Sequence, residues 1–151
     1  MKDQNQAASE NTIATMDTAA RNALAIGNEV GQIMITMDMT QPNAADKLFN
    51  ALNADAGKIS SLIGKTIKIK DVYAENVEGI NEETGEYETY TMLVLFDVEG
   101  NAWRCSSTGM KNALRRAFAM FGSPTWPDGL EFEIVQVETP KGRTFTLKRV
   151  W

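Results

Sequence analysis

The chain contains no histidine and a single cysteine, Cys105. These two gaps remove whole classes of chemistry. Ser–His and Cys–His triads cannot be built. A His-based or thiol-rich metal site is excluded, and so is an internal disulfide. No apolar run approaches the roughly 20 residues of a membrane span. No basic segment followed by an apolar one opens the chain, which argues against export. Together these absences predict a cytoplasmic, non-enzymatic protein without cofactor, structural metal or membrane contact. Glu82, Glu83, Glu86 and Glu88 are numerous enough to suggest acid–base work. They crowd into one turn, however, with no apolar pocket evident to raise a pKa.

What remains is ordinary for a soluble domain. The 151 residues suit one domain with a sizeable core, at 43% hydrophobic and 23% charged. Net charge is −5, unusual for a nucleic-acid binder. Its distribution changes that reading. Residues 1–57 carry seven acids and three bases, and residues 58–151 carry thirteen acids and twelve bases. The second part is therefore near neutral. Its bases gather at Lys65, Lys68 and Lys70 and again at Arg104, Lys111, Arg115, Arg116, Arg143, Lys148 and Arg149, while its acids crowd into 75–88. Such segregation can build a local positive groove or a mixed solvated surface.

The pattern of elements carries the fold prediction. Residues 1–28, rich in Gln, Asn, Ser, Ala and Thr, read as a flexible segment in which 17–28 could form a short Ala-rich helix. Residues 29–64 read as a strand–helix extension. Ile33, Ile35, Met37 and Met39 alternate within a strand over Val30–Met39. Pro42-Asn43 opens a helix with Asn43 as its N-cap and Leu48, Phe49, Leu52, Ile59, Leu62 and Ile63 as its stripe. Residues 65–151 then give strands over 65–77, 87–98 and 101–106, a helix over 108–121, and strands over 130–138 and 143–150. A skipped beat near Asp71 predicts a bulge in the first of these. Ser107 or Thr108 caps the helix, and Gly122-Ser123-Pro124 stops it. The expected class is mainly β with helices. The order β-β-β-α-β-β is that of the five-stranded OB-fold barrel, whose exposed sheet and loops bind oligonucleotides or oligosaccharides.

Single-strand binders stack bases on aromatic rings and track phosphates with Lys and Arg. Tyr73, Tyr87, Tyr90, Trp103 and Arg104 fall on the first three barrel strands and are the candidates for base contact. Each ring could instead pack into the core. Trp103 and Arg104, adjacent in a strand, point to opposite faces, so only one of them reaches a ligand. Lys65, Lys68 and Lys70 are the phosphate candidates, and Lys68 and Lys70 are about 7 Å apart along a strand. The alternative for them is charged protection of an edge strand. Lys141 and Arg143 flank the last hairpin, where a loop can fold over a ligand. Cys105 reads as a buried structural thiol.

Several stretches carry a family resemblance: Ile63-Gly64-Lys65-Thr66-Ile67-Lys68-Ile69-Lys70-Asp71-Val72-Tyr73, Asn81-Glu82-Glu83-Thr84-Gly85-Glu86, Ser106-Ser107-Thr108-Gly109-Met110 and Gly122-Ser123-Pro124. Over roughly residues 44–151 the chain resembles the single-stranded-DNA-binding proteins of phages and mobile elements. That resemblance implies an OB fold, cooperative and sequence-independent coating of single-stranded DNA, a role in replication, and the cytoplasm of a bacterial host. It maps the stacking aromatics onto Tyr73, Tyr90 and Trp103. Lys148-Arg149-Val150-Trp151 departs from the acidic tail with which bacterial relatives recruit partners. The segment Val30–Met39 is also extra; apolar on both faces, it is expected to pack against the barrel or against another subunit, and in the second case it can serve self-association as a homo-oligomer. Two other readings stay open: RNA binding by the same surface, and an assembly module that uses the barrel as scaffold.

Overall fold

The computed structural model describes residues 29–122 and 126–151. The expectations for residues 1–28, and for Ser123 and Pro124, lie outside the described residues. The fold is mostly β, a curled and open sheet shaped like a half-barrel. In chain order the elements are β1 (Ile33–Ile35), α1 (Ala44–Asn50), a π-helical turn (Ala51–Asp55), β2 (Gly57–Lys58), a 3-10 turn (Ile59–Leu62), β3 (Thr66–Ile80), β4 (Tyr87–Asp97), β5 (Ala102–Cys105), α2 (Thr108–Phe121), β6 (Leu130–Thr139) and β7 (Gly142–Arg149).

Strand β3 organises the sheet because it is long enough to serve several partners. Its first residues pair with β6, from Thr66 opposite Glu133 to Ile69 opposite Leu130. Its later residues pair with β4, from Asp71 opposite Phe96 to Ile80 opposite Tyr87. Between Ile69 and Asp71 the register slips by one residue, which makes Lys70 the bulge that the sequence led us to expect there. The other edge of β3 takes β1, with Ile35 opposite Tyr73. The ladder order is β2-β5-β4-β3-β6-β7.

Paired residues share a face, so the register assigns the two sides of the sheet. Val72, Ala74, Leu93, Leu95 and Cys105 lie on the inner face, with the buried side of α2 formed by Met110, Leu114 and Phe118. Tyr73, Val94 and Phe96 lie on the outer face, yet they are buried as well. Their cover is the segment 36–58. It leaves the β3 edge, where Thr36 Oγ1 donates to Asp71 Oδ1 at 2.9 Å, and arrives at the β5 edge, where Gly57–Lys58 pairs in parallel with Trp103–Arg104. Met37, Met39, Leu48 and Leu52 pack along the way into the same apolar cluster as Tyr73 and Val94. This strap differs from the expected helix over 43–63. The continuous helix ends at Asn50, and Phe49 points to solvent. Asn43 precedes the helix in a left-handed conformation (φ 67°) and makes no side-chain cap bond. The expected strand over Val30–Met39 shrinks to Ile33–Ile35 and is spent within the chain's own sheet.

Between β5 and β7 there is no ladder among the described residues. The start of α2 bridges them instead. Ser107 Oγ accepts from Met110 N at 3.1 Å, an N-cap bond, and from Phe145 N of β7 at 3.3 Å. Gly109 N donates to Thr144 Oγ1 at 3.0 Å. At the other end of the helix Trp126 is buried against Phe118, edge to face at 5.9 Å.

Two substitutions test this junction. Ser107→Ala removes the cap and orphans a β7 amide, and should cost about 1–2 kcal/mol. A calorimetric scan should then show Tm lowered by about 2–8 °C. Gly109→Ala should also destabilise, although Gly→Ala inside an exposed helix gains about 1 kcal/mol. The added Cβ would press on the Phe145 carbonyl oxygen and sit 2.6 Å from Thr144 Oγ1. An unchanged or raised Tm for Gly109→Ala would mean that α2 does not approach β7 so closely.

Candidate nucleic-acid interface

The two long hairpins extend beyond the packed body. Pairing of β4 with β5 stops at Leu93 opposite Cys105, so Tyr87–Met92 have a ladder neighbour on the β3 side alone. The β6–β7 arm runs out to a turn between Thr139 and Gly142. Between these arms, at the start of α2, lies a cleft of about 730 Å³ lined by Tyr90, Thr91, Lys111, Lys141, Arg143 and Thr144, among others. A second cleft of about 400 Å³ lies against Lys58, Tyr90, Met92 and Arg104. Tyr90 belongs to both. Its ring is half-buried, and its hydroxyl donates to the Ile80 carbonyl at 3.4 Å. That bond leans the ring over β3 toward the hairpin end, and residues of both openings surround it.

Three cations face the larger cleft. Lys141 sits in the exposed β6–β7 turn. Arg143 Nε is 3.0 Å from Glu138 Oε2, with both side chains well exposed. An ion pair so exposed is worth at most about 1 kcal/mol, so a ligand can compete for the guanidinium. Lys111, in the first turn of α2, is half-buried, and its pKa is lowered by desolvation and then by Arg115. In the smaller cleft, Arg104 Nη1 donates to the Ala56 carbonyl at 3.4 Å, and Nη2 lies 4.0 Å from Glu82 Oε1.

The turn joining β3 to β4 stands where the clefts meet. Buried Asn81 builds it. Its Oδ1 accepts from Glu83 N and Ser106 Oγ, both at 2.8 Å, and its Nδ2 donates to Glu88 Oε2 at 2.8 Å. Glu83 is thereby placed beside Cys105 and Ser106. Burial raises its pKa, against hydrogen bonds from the Ser106 backbone and Cys105 that lower it. Burial likewise pushes the Cys105 thiol up to about 12, so no thiolate nucleophile forms at neutral pH.

The remaining expected residues are scattered. Tyr73, the ladder partner of Ile35, is 4% exposed, and its hydroxyl donates to Glu75 Oε1 at 2.8 Å, so no base can stack on its ring. Trp103 lies on the face opposite Tyr90 and Arg104, half-buried against Gly57, with Nε1 donating to Asp97 Oδ2 at 3.2 Å. With Lys70 and residues of the strap it lines a third cleft of about 850 Å³. Tyr87, 67% exposed, stands at the hairpin tip opposite Ile80. Lys65, just before β3, and Lys68, opposite Glu131 within its first half, are exposed and line none of these three clefts. The structure thus brings together Tyr90, Arg104, Lys141 and Arg143. It adds Lys58 and Lys111, which the sequence reading did not single out. The position of Lys111 one turn into a helix capped by Ser107 was the available clue.

Among the described residues, no helix is long and apolar enough to cross a membrane. The family model for the phage single-stranded DNA-binding protein matches residues 27–149. Neither a curated protein nor a solved structure shows a significant match. The matched span takes in the strap, both hairpin arms and α2, and the chain therefore belongs to the Phi29-type family of phage single-stranded DNA-binding proteins.

Proposed function

We propose that this chain is a non-enzymatic, sequence-independent coat for single-stranded DNA, acting in replication or recombination in the cytoplasm of a bacterial host. One observation carries the reading within this family: Tyr90 stands between two clefts, each with its own cations. A base laid on its ring sends the backbone one way past Arg104 and the other way past Lys111, Lys141 and Arg143. Stacking tolerates any base because every base has a π-face, and phosphate contacts carry no sequence information. The element order of Thr66–Arg149 supports an OB-type barrel, opened at the β5–β7 seam and bridged there by Ser107 and Thr144. A duplex offers no unstacked base to Tyr90, which favours single strands as the partner. RNA single strands share the chemistry, and competition between oligo-dT and oligo-U measures the preference.

Fluorescence titration or gel shift with oligo-dT tests the site. Tyr90→Ala should weaken binding by about 1–3 kcal/mol, the usual worth of one stacked base. Lys141→Ala with Arg143→Ala should make the log–log salt slope shallower by about 1.4, at about 0.7 per phosphate neutralised. Tyr73→Phe should leave affinity unchanged. Equal affinity for duplex and single strand, or full affinity in Tyr90→Ala, would refute the proposal.

A further inference from the structure

We infer that the acidic turn of residues 81–86 is a built-in competitor for the DNA backbone. Glu82 holds Arg104 in the free protein and is exchanged for a phosphate when a strand binds. This rests on the proposed single-strand binding. It adds a residue that limits affinity, one that touches no DNA itself.

The geometry makes the turn a placed object. Asn81, 4% exposed, is tied to Ser106 beyond the end of β5 and to Glu88 on β4. Gly85 takes the positive φ of 77° that closes the loop, and its N–H donates to the Asn81 carbonyl at 2.6 Å. Thr84 Oγ1 donates to the same Glu88 carboxylate at 3.0 Å. The turn is thus folded back on the sheet, and this brings Glu82 to Arg104 across the smaller cleft. The pair is loose at 4.0 Å and partly exposed, with the guanidinium also leaning on the Ala56 carbonyl. A tight, buried pair would keep Arg104 from any ligand. A loose one is easily exchanged, because a phosphate is a comparable anion and can accept two guanidinium hydrogen bonds.

The exchange has a signature in salt dependence. Binding releases the counterions of each neutralised phosphate. A carboxylate set free at the same moment gathers a cation back. The wild-type slope is therefore shallower than its count of phosphate contacts implies. Neutralising Glu82 removes the uptake and the competition together.

The experiment titrates oligo-dT into the full chain at several salt concentrations. The variants are Glu82→Gln, Arg104→Gln, the double variant, and Glu86→Gln as a charge-matched control from the same turn. Glu82→Gln should bind about two- to fivefold tighter at moderate salt, the range that an exposed ion pair spans. Its slope should steepen by up to about 0.7. In the Arg104→Gln background the same change should give no further gain. Glu86→Gln should fall short of Glu82→Gln. A gain that persists without Arg104, or an equal gain from Glu86→Gln, would show diffuse repulsion in place of exchange and overturn the inference. An unchanged affinity in Glu82→Gln would overturn it too. A wild-type chain that does not bind oligo-dT at all would instead defeat the proposed function.

Discussion

One displaced residue sets the architecture. Because Lys70 is extra to the ladder, β3 bends there and faces different partners on its two halves. Without that bend a fifteen-residue strand would run straight, and β6–β7 would continue the sheet flat. With it, the sheet curls until Phe145 comes within reach of Ser107, and a single hydroxyl both caps α2 and holds β7. Curl, helix placement and the near-closure of the seam follow from the same slip of register.

The open surface is defined by what the strap leaves uncovered. Residues 36–58 lie over the middle of the outer face, where an OB-type barrel would offer its sheet to a ligand. Tyr73, Val94 and Phe96 are core for that reason. The surface left open lies on the arms, where β4 has outrun β5 and the β6–β7 hairpin has outrun the helix. Tyr90 sits on that overhang. The cleft between the arms sets cations of one hairpin and of the helix start opposite carboxylates of the other. A net-negative chain can thus still offer a polyanion a cationic path, since a field inside a cleft is set by the nearest groups.

Much of this was legible in the sequence, and the failures have physical causes. The bounds of α2 were readable because Ser107, a 3.6-residue apolar period and Gly122 agree. The bulge was readable because a two-residue period missed a beat. The strap was not. The apolar residues from Leu48 to Leu62 recur at helical spacing, but the backbone divides them among a helix, a π turn and a 3-10 turn, with the two-residue strand β2 breaking the run. The inner face of β4 could not be chosen because both faces are apolar, and the structure shows why: both are covered. Tyr73 looked like a binding residue because its cover comes from residues 36–58, a segment well upstream of its own strand. Lys68 looked like one because single-strand spacing ignores Glu131 across the ladder.

The solitary thiol has a practical consequence. Cys105 is buried beside Ser107, and burial pushes its ionisation up to about 12. Maleimides react through the thiolate, so burial and the raised pKa both protect it at neutral pH. A cysteine introduced at an exposed position is therefore the preferred site of labelling. Cysteines introduced at Thr89 and Thr139, each exposed on one hairpin, would carry a pair of dyes or spin labels that reports the separation of the two hairpins with and without single-stranded DNA.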